Sequence, residues 1–154
     1  MSLLHKKAPE FTLQNENFEE VSLSELRKDS NVVILFYPLA FSSTCTEELC
    51  SVRDNMKIYE ALNAKVVGIS VDSMFVQKAF KKAQNLNFDL LSDFNKEAMT
   101  AYGVKDENFF GMQGVSKRSV FVIDKEGTVK YEEIHEESNV IPNFSAIQNA
   151  LGEI

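Results

Sequence analysis

From Val32 to Tyr37 the chain reads Val-Val-Ile-Leu-Phe-Tyr, apolar throughout and without polar alternation. A strand with one wet face alternates, so an unalternating strand is covered on both faces, as in a parallel sheet flanked by helices. Asn31–Tyr37 is therefore expected to be a central strand, and Pro38 ends it. Thr44 to about Asn63 lacks Pro and Gly and spaces Leu49, Val52, Met56, Tyr59 and Leu62 three or four residues apart. That spacing predicts one long amphipathic helix with its apolar stripe on the sheet.

The strand–helix alternation continues. Lys65–Val71 is a second buried strand, Asp72 and Ser73 offer N-cap chemistry, and Met74–Gln84 is the next helix. Upstream, Phe11–Gln14 and Phe18–Val21 flank Asn15-Glu16-Asn17 as a short hairpin, and Ser22 caps a brief helix through Lys28. Downstream, Phe88–Leu91 is a short strand and Asn95–Tyr102 a short helix stopped by Gly103. Val104–Lys117 reads as irregular. Ser119–Ile123 and Thr128–Ile134 are strands joined through Asp124-Lys125-Glu126-Gly127, and Asn143–Leu151 is a closing helix after Pro142. The expected architecture is an α/β, thioredoxin-like fold, a central mixed β-sheet flanked by helices with an N-terminal β-hairpin extension.

Residues 1–154 hold enough apolar side chains, 44% of the chain, for one domain, and no repeat or linker divides them. Sixteen basic against 23 acidic residues give a net charge of −7, which disfavours a nucleic-acid partner. The longest apolar run, Val32–Phe41, is far short of the roughly 20 residues that cross a bilayer, so no membrane association is expected. Two cysteines are too few for a disulfide scaffold, and the N-terminus lacks a signal-peptide pattern. A cytoplasmic location is the expectation. His5 and His135 stand far apart without a second ligand at metal-binding spacing, so no metal is expected.

Cys45 ends the run Pro38-Leu39-Ala40-Phe41-Ser42-Ser43-Thr44-Cys45, just past a buried strand and at the start of a helix. A helix start carries unpaired backbone N–H groups and the positive end of the dipole, which favours thiolate over thiol and attracts an anionic reacting group. The carboxyl ends of parallel strands are also where open α/β sheets place their sites. Ser42, Ser43 and Thr44 each offer a hydroxyl there, either as a helix cap or as a partner for a bound group. Ser42, three residues before Cys45, is in reach of such a group.

These residues resemble the peroxiredoxins. The active-site signature of that family is Pro, three residues, Thr or Ser, two residues, Cys, and Pro38, Ser42 and Cys45 match it in register. Ala8-Pro9-Glu10-Phe11-Thr12-Leu13, Gly68-Ile69-Ser70-Val71-Asp72, Leu90-Leu91-Ser92-Asp93, Ala101-Tyr102-Gly103-Val104 and Arg118-Ser119-Val120-Phe121-Val122-Ile123-Asp124 extend the agreement over most of the chain. The resemblance implies a thiol-dependent peroxidase that needs no cofactor. In it Cys45 is the peroxidatic cysteine, Pro38 shields it from water, Ser42 hydrogen-bonds the peroxide and Arg118 supports the thiolate. Attack on an O–O bond moves negative charge onto the departing oxygen, which the N–H groups of Thr44 and Cys45, the Ser42 hydroxyl and Arg118 would stabilise. Ser42 departs from the commoner Thr and loses the methyl that restrains its rotamer. Glu48 is either the partner of an arginine near the site or a plain helix-face carboxylate, and Arg53 with Asp54 reads as structural.

Cys50 separates two branches of the family. Cys45-Thr46-Glu47-Glu48-Leu49-Cys50 has the spacing of the bacterioferritin-comigratory or Q-type proteins, in which the second cysteine resolves the sulfenic acid as an intramolecular disulfide. The surrounding Pro-Leu-Ala-Phe and Glu-Leu pattern is closer to the alkyl hydroperoxide reductase E-type proteins, where an external thiol resolves. Residues five apart on an intact helix lie about 8.6 Å apart at Cα and about 140° around the axis, beyond the roughly 7 Å a disulfide spans, so bonding requires unwinding. Cys50 is thus expected to be resolving, with a buried structural cysteine as the other reading. The partners implied are a hydroperoxide and thioredoxin or a similar dithiol, with glutaredoxin or a small thiol as alternatives, acting on a monomer or homodimer. A non-enzymatic redox-sensing or chaperone-like module would need Cys45 without the oxyanion donors. The segment with Gly111, Met112 and Gly114 is either a flap or a surface loop, and Phe41 and Phe109 or Phe110 are core or candidates to line a site or dimer face.

Overall fold

The computed structural model describes residues 2–154. In chain order the elements are β1 (Thr12–Asn15), β2 (Glu20–Ser22), α1 (Leu23–Leu26), β3 (Asn31–Phe36), α2 (Ser43–Asp54), α3 (Met56–Ala61), β4 (Ala64–Ser70), α4 (Met74–Gln84), β5 (Asp89–Ser92), α5 (Glu97–Ala101), β6 (Lys105–Asp106), β7 (Val115–Ser116), β8 (Ser119–Ile123), β9 (Val129–Ile134) and α6 (Phe144–Gly152). Seven strands make one sheet in the order β2-β1-β5-β4-β3-β8-β9. The β3–β4 and β4–β5 pairs are parallel and the other pairs antiparallel, so the sheet is mixed as expected. The N-terminal hairpin extends this sheet directly, because β1 pairs with β5.

All six residues of β3 are buried, and they serve two cores in turn. Val32, Ile34 and Phe36 join Phe11, Met99, Tyr102 and Phe121 on one face. Val33, Leu35 and Tyr37 join Leu49, Val52, Phe80, Val120 and Ile147 on the other, and Cys45 lies in that second layer. Two wet-free faces leave no position for a polar residue, which is the cause of the missing alternation. Each large apolar side chain so buried contributes about 1.5–3 kcal/mol. Gly68 on β4 allows a close approach in that layer, since a Cβ there would stand 2.9 Å from Leu90 Cδ2 and 3.1 Å from the Tyr37 ring.

Helix signals act where the sequence places them. Ser22 Oγ accepts from the Glu25 N–H, Ser73 Oγ from the Val76 N–H and Asn143 Oδ1 from the Ala146 N–H. Gly103, at φ +71°, follows α5 where a left-handed residue is needed.

Three local expectations are corrected. The single helix over Thr44–Asn63 is two, α2 and α3, broken at Asn55. Asn55 leaves helical geometry at ψ 18°, and its Nδ2 donates to the Ser51 carbonyl, taking the acceptor that a continuing helix would use. The apolar periodicity runs across the break because both helices pack on the same face of the sheet, so spacing alone does not reveal it. The segment Val104–Lys117 contains the two-stranded ladder β6–β7, too short to carry a periodic signal. Asp72 does not cap α4. Its Oδ2 accepts from Ser70 Oγ at 2.6 Å and from the Ala40 N–H at 2.7 Å, tying the end of β4 to the loop after β3.

Candidate active site

The loop after β3 is held from below by that Asp72 contact and turns sharply at Phe41, which has φ +69°. Pro38, within this loop, is buried. Ser42 occupies the N-cap position with an extended backbone, and its carbonyl accepts from Thr46 N–H and Oγ1 at 2.9 and 2.8 Å. Its hydroxyl does not cap the helix. Ser42 Oγ is buried without a hydrogen-bond partner among the described residues. A buried hydroxyl left unspent costs about 1–3 kcal/mol, so the site holds a donor in reserve for something that enters it. Ser43, Thr44 and Cys45 form the first turn of α2, where backbone N–H groups have no acceptor within the helix.

Arg118 reaches this turn through sheet register. β8 pairs antiparallel with β3, with Ser119 opposite Phe36, so the residue before β8 stands at the same sheet end as the loop after β3. The Arg118 side chain is 1% exposed. Nη1 and Nη2 each lie 3.3 Å from Cys45 Sγ. Nη1 also donates to Glu48 Oε1 at 2.6 Å, and Nη2 and Nε donate to the Ser138 carbonyl at 2.9 and 3.2 Å. All five N–H donors of the guanidinium are thereby used, which holds its plane in a single orientation.

The electrostatics follow from burial. Cys45 and Glu48 are fully buried one helical turn apart, and the guanidinium bridges them. Burial pushes the Glu48 carboxyl up, Arg118 pulls it part of the way back and Glu133 adds to the rise, leaving it at about 7. Its Oε2 has no partner among the described residues. Burial by itself would lower the Arg118 guanidinium, but Glu48 and Cys45 reverse this and hold it above its ordinary value. Arg118 is a permanent cation that directs two N–H groups at the sulfur.

Of the residues singled out from sequence, Pro38, Ser42, Thr44, Cys45, Glu48 and Arg118 come to one place, and Glu48 takes the arginine-partner alternative. Cys50 does not join them. It lies half-buried further along α2, with Sγ 3.5 Å from Gln84 Oε1, and neither cysteine is in a disulfide. Arg53 pairs with Asp54 and donates to the Gln84 carbonyl. Phe41 is 53% exposed and packs on Phe80, with ring centroids 5.0 Å apart. Phe109 and Phe110 line a groove with Asp106 and the segment Glu136–Asn139, which includes the Ser138 that holds Arg118. Sequence reasoning missed Ser138, Glu133 and Gln84. Ser138 acts through a backbone carbonyl, which leaves no residue-type signal. Glu133 accepts from Tyr131 OH and the Asn143 N–H and pairs with His135.

A family model described as the AhpC/TSA family matches residues 4–132. A Mycobacterium tuberculosis (strain H37Rv) protein assigned by name to the peroxiredoxins is 40% identical over 126 residues, which cover 80% of this chain and 79% of that one. The chloroplastic peroxiredoxin Q of Triticum aestivum is 35% identical over 144 residues, covering 92% of this chain and 64% of that one. Among solved structures, that of the peroxidoxin BcpB from Mycobacterium tuberculosis has a TM-score of 0.89 at 29% identity, over 100% of this chain and 99% of that one.

Proposed function

The chain belongs to the AhpC/TSA family and is a thiol peroxidase of the peroxiredoxin kind, and on that premise we propose that it reduces hydrogen peroxide and organic hydroperoxides through Cys45, with Cys50 resolving the sulfenic acid as an intramolecular disulfide. The observation that carries the reading is the Arg118 fork on Cys45 Sγ beside the unspent Ser42 hydroxyl.

In the first step the Cys45 thiolate attacks a peroxide oxygen. The S–O bond forms as the O–O bond breaks, the electron pair leaves on the distal oxygen, and a proton converts that oxygen to water or an alcohol. Arg118, Ser42 Oγ and the N–H groups of Thr44 and Cys45 face the charge that develops, which lowers the barrier more than it stabilises the bound peroxide. Glu48 and the Ser138 carbonyl hold the guanidinium in line, and Pro38 helps to exclude water. In the second step the Cys50 sulfur attacks the Cys45 sulfenic sulfur and releases water, leaving the disulfide. A dithiol protein of thioredoxin kind then returns both residues to thiols.

The alternative is resolution by an external thiol, and one observation favours it. α2 is intact through both cysteines, so their sulfurs cannot bond without unwinding. Intact-mass analysis after one equivalent of peroxide decides between the two. Internal resolution makes the wild-type chain lighter by two hydrogens and Cys50→Ser heavier by one oxygen. A wild-type chain that keeps the added oxygen, or forms only intermolecular disulfides, assigns resolution to an external thiol.

A further inference from the structure

The far half of α2 is fastened to a neighbour that the peroxide chemistry does not use. α4 ends at Gln84, followed by Asn85 in the left-handed region at φ +51°. The last carbonyls of a helix lack internal partners and form its negative end. Arg53 Nη1 donates to one of them, that of Gln84, and Asn87 Nδ2 returns a bond to the Arg53 carbonyl at 3.2 Å. With its backbone held in this way, Gln84 turns its side chain onto Cys50, whose Sγ donates to Oε1 at 3.5 Å.

We propose that Gln84 is a latch on the Cys50 thiol, which holds it in the folded helix and sets how long the Cys45 sulfenic acid survives before it is resolved. This rests on the reading of Cys50 as the resolving residue. Two facts give the contact its direction. A disulfide sulfur carries no hydrogen, so the bond from Cys50 to Gln84 exists only while Cys50 is a thiol and must be lost when the disulfide forms. The pair also starts about 8.6 Å apart at Cα, so Cys50 must leave its place beside Gln84, or the helix around it must open. A contact present before the step and absent after it stabilises the starting state and slows the step. During the delay the sulfenic sulfur is open to a second peroxide, which adds one oxygen to give sulfinic acid and leaves as water or alcohol. Gln84 is therefore a positioning residue that acts through Cys50 and divides the enzyme between turnover and overoxidation.

Single-turnover kinetics test this with Gln84→Met, which keeps the chain length and replaces the amide oxygen by a much weaker acceptor, and Gln84→Glu, which keeps an oxygen acceptor. The expected result is an unchanged peroxide-dependent first phase in both variants. In Gln84→Met the second, disulfide-forming phase becomes faster by about two- to fivefold, the scale of one weak hydrogen bond. The peroxide concentration that converts half the protein to sulfinic acid rises by the same factor, and Gln84→Glu stays at the wild-type value. A merely structural role would shift the unfolding temperature without moving this partition. A second phase in Gln84→Met that is unchanged or slower overturns the latch while leaving Cys50 as the resolving residue. A wild-type chain that forms no internal disulfide overturns both, and the mass measurement reveals that before any Gln84 variant is made.

Discussion

The two ends of α2 each carry a cysteine that lies near an arginine, and they differ in enclosure and charge. At the first turn Cys45 is fully buried and faces Arg118, whose remaining donors are taken by Glu48 and Ser138. Further along, Cys50 is half-buried and faces a neutral amide, while the arginine nearby, Arg53, spends its charge on Asp54 and on the end of α4. Two cysteines on one helix therefore have different surroundings. The first end sets a buried cation against its sulfur, and the second sets a neutral amide oxygen against its thiol. Reactivity belongs to the neighbours of a cysteine, and those neighbours come from the residue just before β8 in one case and from the end of α4 in the other.

The sharpest way to break this comparison is to exchange the cysteines for serine one at a time. Cys45→Ser is expected to reduce peroxide consumption to the uncatalysed background. Cys50→Ser is expected to consume the first equivalent at the wild-type rate and then stall without an external thiol. Stopped-flow peroxide consumption measures both, and wild-type turnover in Cys45→Ser would end the assignment.

The arginines come next in size. Arg118→Ala is expected to lower the second-order rate constant for peroxide by about ten- to a thousandfold, the range for loss of a transition-state donor. Arg118→Lys restores only part, because an ammonium cannot reproduce the five-donor fork. Arg53→Ala is expected to leave that constant within about twofold. Equal losses in Arg118→Ala and Arg53→Ala would show that the two ends are not distinct.

The smallest effect concerns Glu48 and appears in stability against pH. Its folded value of about 7 lies above the ordinary 4.5, so the folded protein binds the proton more tightly than the unfolded chain. The stabilisation this brings is complete below about pH 4.5 and is lost as pH rises through about 7, amounting to at most about 3 kcal/mol. In Glu48→Gln the loss of stability between pH 5 and 7.5 is expected to flatten, as read from urea midpoints across that range. An unchanged slope would mean that Arg118 keeps Glu48 ionised throughout.

Some of this was legible before any coordinates. The unalternating Val32–Tyr37 and Lys65–Val71 runs announced a sheet covered on both faces, because a strand between two apolar layers has no place for polar side chains. Ser22 and Ser73 announced helix starts through hydroxyls that satisfy N–H groups three residues on, and Pro142 announced the last helix. Asn55 was not legible as a break, since the stripe of Val52, Met56 and Tyr59 continues across it.

The site divides along the same line. Pro38, Ser42, Thr44 and Cys45 are neighbours in the chain, and a strand end followed by a helix start places them together whatever surrounds them. Sequence by itself therefore determined the fold class, the strand-to-helix corner and the cysteine upon it. Arg118 is 73 positions from Cys45, and Gln84 is 34 from Cys50. Whether they meet depends on Ser119 pairing with Phe36 rather than with a neighbour, and on where α4 stops. A slip of one residue in that pairing would turn Arg118 to the other face of the sheet. The family resemblance named Arg118, but only the tertiary structure brought its guanidinium onto the sulfur and decided which carboxylate holds it, because burial of both sheet faces selects one register among several that the local pattern allows equally.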